Sequence, residues 1–234
     1  MYNADLALIH DRWYDAFPRA AAAHVQTHLA GLKAQIILDL GCGSGVLLEQ
    51  LAPLGANLYG IDVSPAMIER CRARLPHAEF RVKDVLETEI PAADVIVMVG
   101  EILSYAAAAH RADEKMLLQF FERIFRALRP EGIFLFDVLG NTHDYAGKFF
   151  QDRGDFFVLS DVSQQGELVH RHIISFLKED DVYKKSVEDH VLLTFSVTQL
   201  QSLLERAGFS AKQIFHYDVV AMLPGRIAFE CSKH

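Results

Sequence analysis

The chain has 234 residues, 51% of them apolar and 23% charged, with a formal net charge of −8, a composition suited to a soluble globular protein with a substantial core. That acidic balance leaves no basic excess to neutralise phosphates, which argues against a general nucleic-acid or anionic-membrane surface. The one dense basic stretch, CRARLPHAEFRVK, reads as a solvated helix face.

The N-terminal stretch MYNADLALIHDRWYDAF lacks the basic-then-apolar order of a signal peptide, and no apolar run approaches the ~18 residues needed to span a bilayer. Pro18 to Ala30 reads as a helix with Gly31 past its end. Strands and helices then alternate. AQIILDL is a strand, VLLEQLAPLG a helix closing on Gly55, ANLYGID a strand, and Ser64–Pro65 open the next helix. AEFRVKD and ADVIVMVG are further strands. Leu117, Phe120, Phe121, Ile124 and Leu128 recur at helical spacing until Pro130 and Gly132, and GIFLFDVL is a fifth strand. Continuous apolar strands separated by helices predict an α/β fold, a doubly wound, mostly parallel sheet covered on both faces.

After residue 140 the pattern changes. FFVLSDV, ELVHRHIISFLK and VYKKSVEDHVLLTF are strand-like with no helix between them, and KEDD suits a hairpin turn. Helical spacing returns at Thr198, where T-Q-L-Q predicts a capping box, and Gly208 ends it. AKQIFHYD and GRIAFECSK are the last strands. The expected organisation is a single domain over 1–234, with an N-terminal helical cap at 1–33 and an antiparallel β insertion at about 141–197. Cys42, Cys71 and Cys231 are odd in number, far apart and free of CxxC spacing, which argues against a disulfide framework and suits a reducing, cytoplasmic location.

LDLGCGSG, at 38–45, ends the first strand and opens a helix. Glycine there permits positive φ and close backbone approach to a ligand. Asp62, at the end of the second strand, has the spacing of an acid that holds a ribose by both hydroxyls. A dinucleotide loop needs a small residue where Val46 stands, and Asp39 before the loop would repel a pyrophosphate. Facing an ammonium, Asp39 is attractive instead, so the loop suits a zwitterionic amino-acid tail.

At these residues the chain resembles the class I S-adenosylmethionine-dependent methyltransferases, through Asp39-Leu40-Gly41-Cys42-Gly43-Ser44-Gly45, YGIDVSPAMI, RVKDVLE and DVIVMVGEILSY in order. The resemblance covers 34–139 closely and extends over 198–232. It implies a seven-stranded, Rossmann-like sheet, with S-adenosyl-L-methionine as cofactor and S-adenosyl-L-homocysteine as product. It further implies Gly41, Cys42 and Gly43 at the cofactor, Asp62 on its ribose, Val63 and Met67 near the adenine, and Asp84 and Val85 at the adenine amino group. Val99 and Gly100 would flank the methionine portion, and Tyr14, in RWYDAF, would close the site. The β insertion resembles that of small-molecule methyltransferases.

Methyl transfer from a sulfonium requires positioning and water exclusion, and a base only where the acceptor must lose a proton. No metal is needed, and the histidines lack ligand spacing. Glu188 and His190, two apart on a strand, share a face and read either as a base or positioning pair or as a solvated or subunit-contact face. His143 and Tyr145 follow the fifth strand, where substrate loops sit. His170 and His172 share a strand face without a third ligand and read as structural. Glu101 reads as a solvated helix start, and Trp13 and Phe17 as core. The expected partner is a small molecule, not nucleic acid or membrane, with a homodimer through the β insertion as a further option. The competing readings are a nicotinamide-dependent oxidoreductase and a non-catalytic cofactor-binding protein. The [DN]-P-P-[YFW] run associated with base or amide methylation is absent; the chain there reads Gly100-Glu101-Ile102-Leu103.

Overall fold

The computed structural model describes residues 8, 9, 15–29 and 36–233. Strands β1 (Ile36–Leu40), β2 (Asn57–Asp62), β3 (Glu79–Val82), β4 (Ala93–Met98) and β5 (Leu128–Gly140) run parallel in the order 3-2-1-4-5. Strand β13 (Arg226–Ser232) pairs antiparallel with β5, and β10 (Ser210–Ile214) pairs with β13, completing a seven-stranded α/β sheet. Helices α1 (Ala16–His28), α2 (Val46–Leu51) and α3 (Pro65–Arg74) cover one face, and α4 (Ile102–His110), α5 (Glu114–Ala127) and α6 (Val197–Ala207) the other.

The apolar runs have a simple cause. Because side chains alternate along a strand, Leu38, Leu40, Ile96, Met98, Phe134 and Phe136 pack towards α4–α6 while Ile37, Val95, Val97, Ile133 and Leu135 pack towards α1–α3. Both faces are dry, so both strand registers must be apolar.

Strands β6 (Gly147–Asp152), β7 (Phe156–Gln165), β8 (Leu168–Glu179) and β9 (Val182–Phe195) form an antiparallel meander. The end of β9 pairs in parallel with Leu139 and Gly140, on the side of β5 that β4 leaves after Phe136. The meander therefore joins the main sheet at the carboxyl end of β5.

Local expectations shift in several places. The α6 cap is Ser196, whose Oγ accepts the Gln199 N–H at 3.0 Å, so the N-cap lies two residues before Thr198 and not at it. Helix α5 stops at Ala127, and β5 already runs through Pro130 and Gly132. The register jump between Ala93/Leu128 and Val95/Ile133 places that proline in a bulge, where no ladder donor is needed. Helix α4 and strand β6 are additional to the sequence reading. The last segment is broken by a short hairpin, β11 (His216–Tyr217) with β12 (Val220–Ala221).

Candidate active site

A cavity of about 620 Å³ opens where β1, β2 and β4 end, between the glycine loop and the meander. The loop is fixed from below: the Gly41 and Cys42 N–H groups donate to the Ile61 carbonyl at 2.7 and 3.0 Å. Gly41 sits at φ +80°, and a Cβ there would lie 2.5 Å from the Ile102 side chain, so only glycine fits. Gly43, at φ +53°, has nothing within 4 Å of a Cβ position, leaving its face open. Cys71 Sγ donates to the Gly43 carbonyl at 3.0 Å, and Asp62 accepts from the Gly43 and Ser64 N–H groups at 2.9 and 2.8 Å. Burial raises the Asp62 carboxyl pKa against those two backbone donors.

Asp39, at the end of β1, lines the cavity yet is only 3% exposed, and it has no hydrogen-bond donor among the described residues. Burial first, and the nearby Asp62 charge second, push its carboxyl up to about 8. A buried acid without a donor, facing a cavity, is a seat for a cation.

A second cluster borders the cavity at the start of α4. Glu101, at φ +64°, accepts from Arg171 Nη1 at 2.8 Å and also from Arg226. Arg226 Nη1 donates to Asp137 at 2.8 Å, and Asp137 also accepts from the Gly100 and Glu101 N–H groups and the Tyr217 hydroxyl. Burial alone would raise the Glu101 pKa, but Arg226 and Arg171 bring it below the usual range. Glu101 is 6% exposed, so it is not the solvated helix start that its position suggests. Arg226 also lies 4.6 Å from the Phe17 ring centroid, joining α1 to the site. The sequence carried one signal for this cluster: Asp137 interrupts the apolar strand β5 with a charge, and Arg226 opens β13 with the opposite one.

Of the sequence-selected residues, Asp39, Gly41, Cys42, Gly43, Asp62, Met67, Val99, Gly100, His143 and Tyr145 line the cavity. The Tyr145 hydroxyl lies 2.7 Å from the Gly225 carbonyl and 3.0 Å from that of Gly140, and burial pushes its pKa up to about 12, so it stays protonated. Val63 is exposed, Val85 is in the core, and Asp84 bonds His110 at 3.0 Å; these three lie outside the lining. Tyr14 and Trp13 lie outside the described residues. Glu188 and His190 are behind the lining. His190 is 3% exposed; its Nε2 is 2.9 Å from Glu188 Oε2, and its Nδ1 is 3.3 Å from the hydroxyl of Tyr105, which does line the cavity. His172 bonds Asp189 at 2.7 Å on the opposite face of the meander.

Residues 37–132 match the family described as Methyltransferase domain. YqeM of Bacillus subtilis (strain 168), named a methyltransferase, is 27% identical over 189 residues, spanning 76% of this chain and 74% of that protein. The crystal structure of an S-adenosylmethionine-dependent methyltransferase from Clostridium acetobutylicum ATCC 824 has a TM-score of 0.84 at 19% identity, over 97% of each chain. The S-adenosylmethionine-bound CalS10, an amino pentose methyltransferase from Micromonospora echinaspora, has a TM-score of 0.77 at 18% identity, over 100% of this chain and 98% of that one.

Proposed function

From a chain that is an S-adenosylmethionine-dependent methyltransferase of the class I fold, we propose that it transfers methyl to an oxygen or nitrogen of a small molecule. The observation that carries the cofactor end is Asp39: a buried carboxyl with no donor among the described residues fits the ammonium of an amino-acid tail. The open face of Gly43 fits close approach by the same tail. Asp62 spends two acceptor sites on backbone N–H groups and retains lone pairs for ribose hydroxyls. Val99 and Gly100 are assigned to the methionine portion, and Val63, Asp84 and Val85, just past the ends of β2 and β3, with Met67 in the first turn of α3, to the adenine end. When bound, the cofactor supplies a methyl group on cationic sulfur, an electrophile that needs no metal.

The acceptor is assigned to the space under the meander, with His143, Glu188 and His190 as the groups that position it and handle its proton. A cavity of about 620 Å³ suits a cofactor and a small acceptor together, and CalS10, whose acceptor is an amino pentose, has the same fold. Isothermal titration with S-adenosylhomocysteine tests the cofactor assignment; no heat at high micromolar concentration would sink it. A labelled-methyl screen across metabolite fractions then identifies the acceptor.

Among the described residues no helix is long and apolar enough to cross a membrane, and three free, buried thiols support a cytoplasmic location. We read the chain as one methyltransferase domain that dimerises through the outer face of the meander. There Phe150, Leu159, Ile174 and Val187 form one apolar row across the four strands, beside the row Lys148, Asp161, His172 and Asp189. Stacking two copies with strand order reversed sets Lys148 against Asp189 and Asp161 against His172. Sedimentation equilibrium should show a dimer that Leu159→Lys dissociates; a wild-type monomer would refute it.

A further inference from the structure

The acceptor half of the cavity has a polar wall and an apolar one. Phe149, Val158, Val162, Ile173 and Leu223 form the apolar side, and Phe149 and Leu223 are each 59% exposed. The polar side is Tyr105, Arg171, Glu101 and Arg226. Glu101 and Asp137 are paired with Arg171 and Arg226, so that cluster sums to no formal charge. Asp144, the other acid on this half, is exposed and accepts from the Ala146 N–H at 2.9 Å. Beside Tyr105, an oxyanion finds the Arg171 guanidinium in the same wall.

Arg171 Nη1 donates to the Tyr105 hydroxyl at 3.4 Å, and both residues line the cavity. Behind them, His190 Nε2 lies 2.9 Å from Glu188 Oε2, an arrangement in which a carboxylate takes the Nε2 proton as donor. That tautomer leaves Nδ1 as the acceptor for the Tyr105 hydroxyl, 3.3 Å away. The edge-on packing of the Tyr105 and His190 rings, centroids 5.5 Å apart at 80°, fixes their mutual orientation. The three groups form a relay from the cavity wall to a buried carboxylate.

We propose that Tyr105 is a catalytic residue contacting the acceptor, and that the acceptor is an acidic hydroxyl on an apolar body, a phenol or an enol. The proposal rests on the methyltransferase reading. The acceptor's proton passes to the Tyr105 oxygen as the tyrosine's own proton moves to His190 Nδ1, and the O–H electron pair stays on the acceptor oxygen. His190 ends as an imidazolium against Glu188, and Arg171 faces the oxyanion while it lasts. An apolar body lies along Val158, Val162 and Ile173, its far end reaching Phe149 and Leu223.

The test uses 4-nitrophenol, whose ionised form absorbs visible light, titrated into the full chain saturated with S-adenosylhomocysteine. Bound probe should ionise about one pH unit or more below free probe, a tenfold shift in its acid equilibrium. Tyr105→Phe should abolish that shift and weaken probe binding about tenfold, while S-adenosylhomocysteine affinity stays within about twofold. Benzylamine, an ammonium of similar size, should bind at least tenfold more weakly than 4-nitrophenol. An unshifted probe, no probe binding at millimolar concentration, a shift that survives Tyr105→Phe, or preference for benzylamine overturns the proposal and leaves the cofactor assignment standing. Failure of S-adenosylhomocysteine itself to bind overturns both.

Discussion

The Asp39 carboxyl ties cofactor affinity to pH. With its pKa at about 8 in the ligand-free protein, it is roughly 1% ionised at pH 6 and about a quarter ionised at pH 7.5. A bound ammonium requires the carboxylate, so S-adenosylhomocysteine affinity should rise roughly 25-fold between those pH values, about 1.9 kcal/mol. Titration calorimetry in two buffers of different ionisation enthalpy also counts protons: binding should release about one at pH 6 and about three quarters at pH 7.5. Asp39→Asn should bind more weakly at pH 7.5 and remove the pH dependence. The ligand-free protein shows the opposite sign. Folding raises this pKa above 3.8, so the folded state holds the proton more tightly, and this group's stabilisation is lost as pH climbs from about 4 to about 8. Flat affinity from pH 6 to 7.5 with no proton release would refute the pairing of Asp39 with a cation.

Gly41→Ala combines a left-handed backbone costing about 1–2 kcal/mol with the overlap on Ile102, and should weaken S-adenosylhomocysteine binding at least tenfold by calorimetry. Adding Ile102→Ala should recover part of that loss, the overlap and not the φ strain; no recovery would show that the contact is unimportant. Arg226→Met leaves Asp137 and Glu101 short of a cation in a buried setting and should cost about 3–5 kcal/mol in urea unfolding. A loss below about 1 kcal/mol would mean that Arg171 or water compensates.

The glycine loop and its acid were legible in sequence because their physics is local. A strand, three glycines and an acid at the next strand end lie within 25 positions of one another, and their spacing alone sets the loop over Asp62. The acceptor end is assembled from segments far apart in the chain. Glu101, Asp137, Arg171 and Arg226 meet only after β5, β8 and β13 have closed together, and no spacing rule joins position 101 to 226. The same holds for Tyr105 and His190, 85 residues apart. Glu188 and His190 were identifiable as a pair from alternation on β9, but their link to the cavity runs through a helix that the sequence reading did not place.

Asp39, Asp62, Glu101 and Asp144 line this cavity and Asp137 stands behind Glu101; the four buried acids, all but Asp144, are treated in two ways. Asp137 and Glu101 are neutralised by Arg226 and Arg171, so this cluster is charge-balanced before any ligand arrives. Asp39 and Asp62 have no cation among the described residues, and burial raises the pKa of both. An empty site can hold these two close together because Asp39, its carboxyl pushed up to about 8, keeps a proton near neutral pH, which removes the repulsion that two buried carboxylates would otherwise exert on the glycine loop. A cationic ligand displaces that proton and gains the whole field. The same cation gains little against the balanced cluster a few residues away. The partition directs positive charge to the glycine loop, which is the arrangement that a sulfonium donor with an ammonium tail requires.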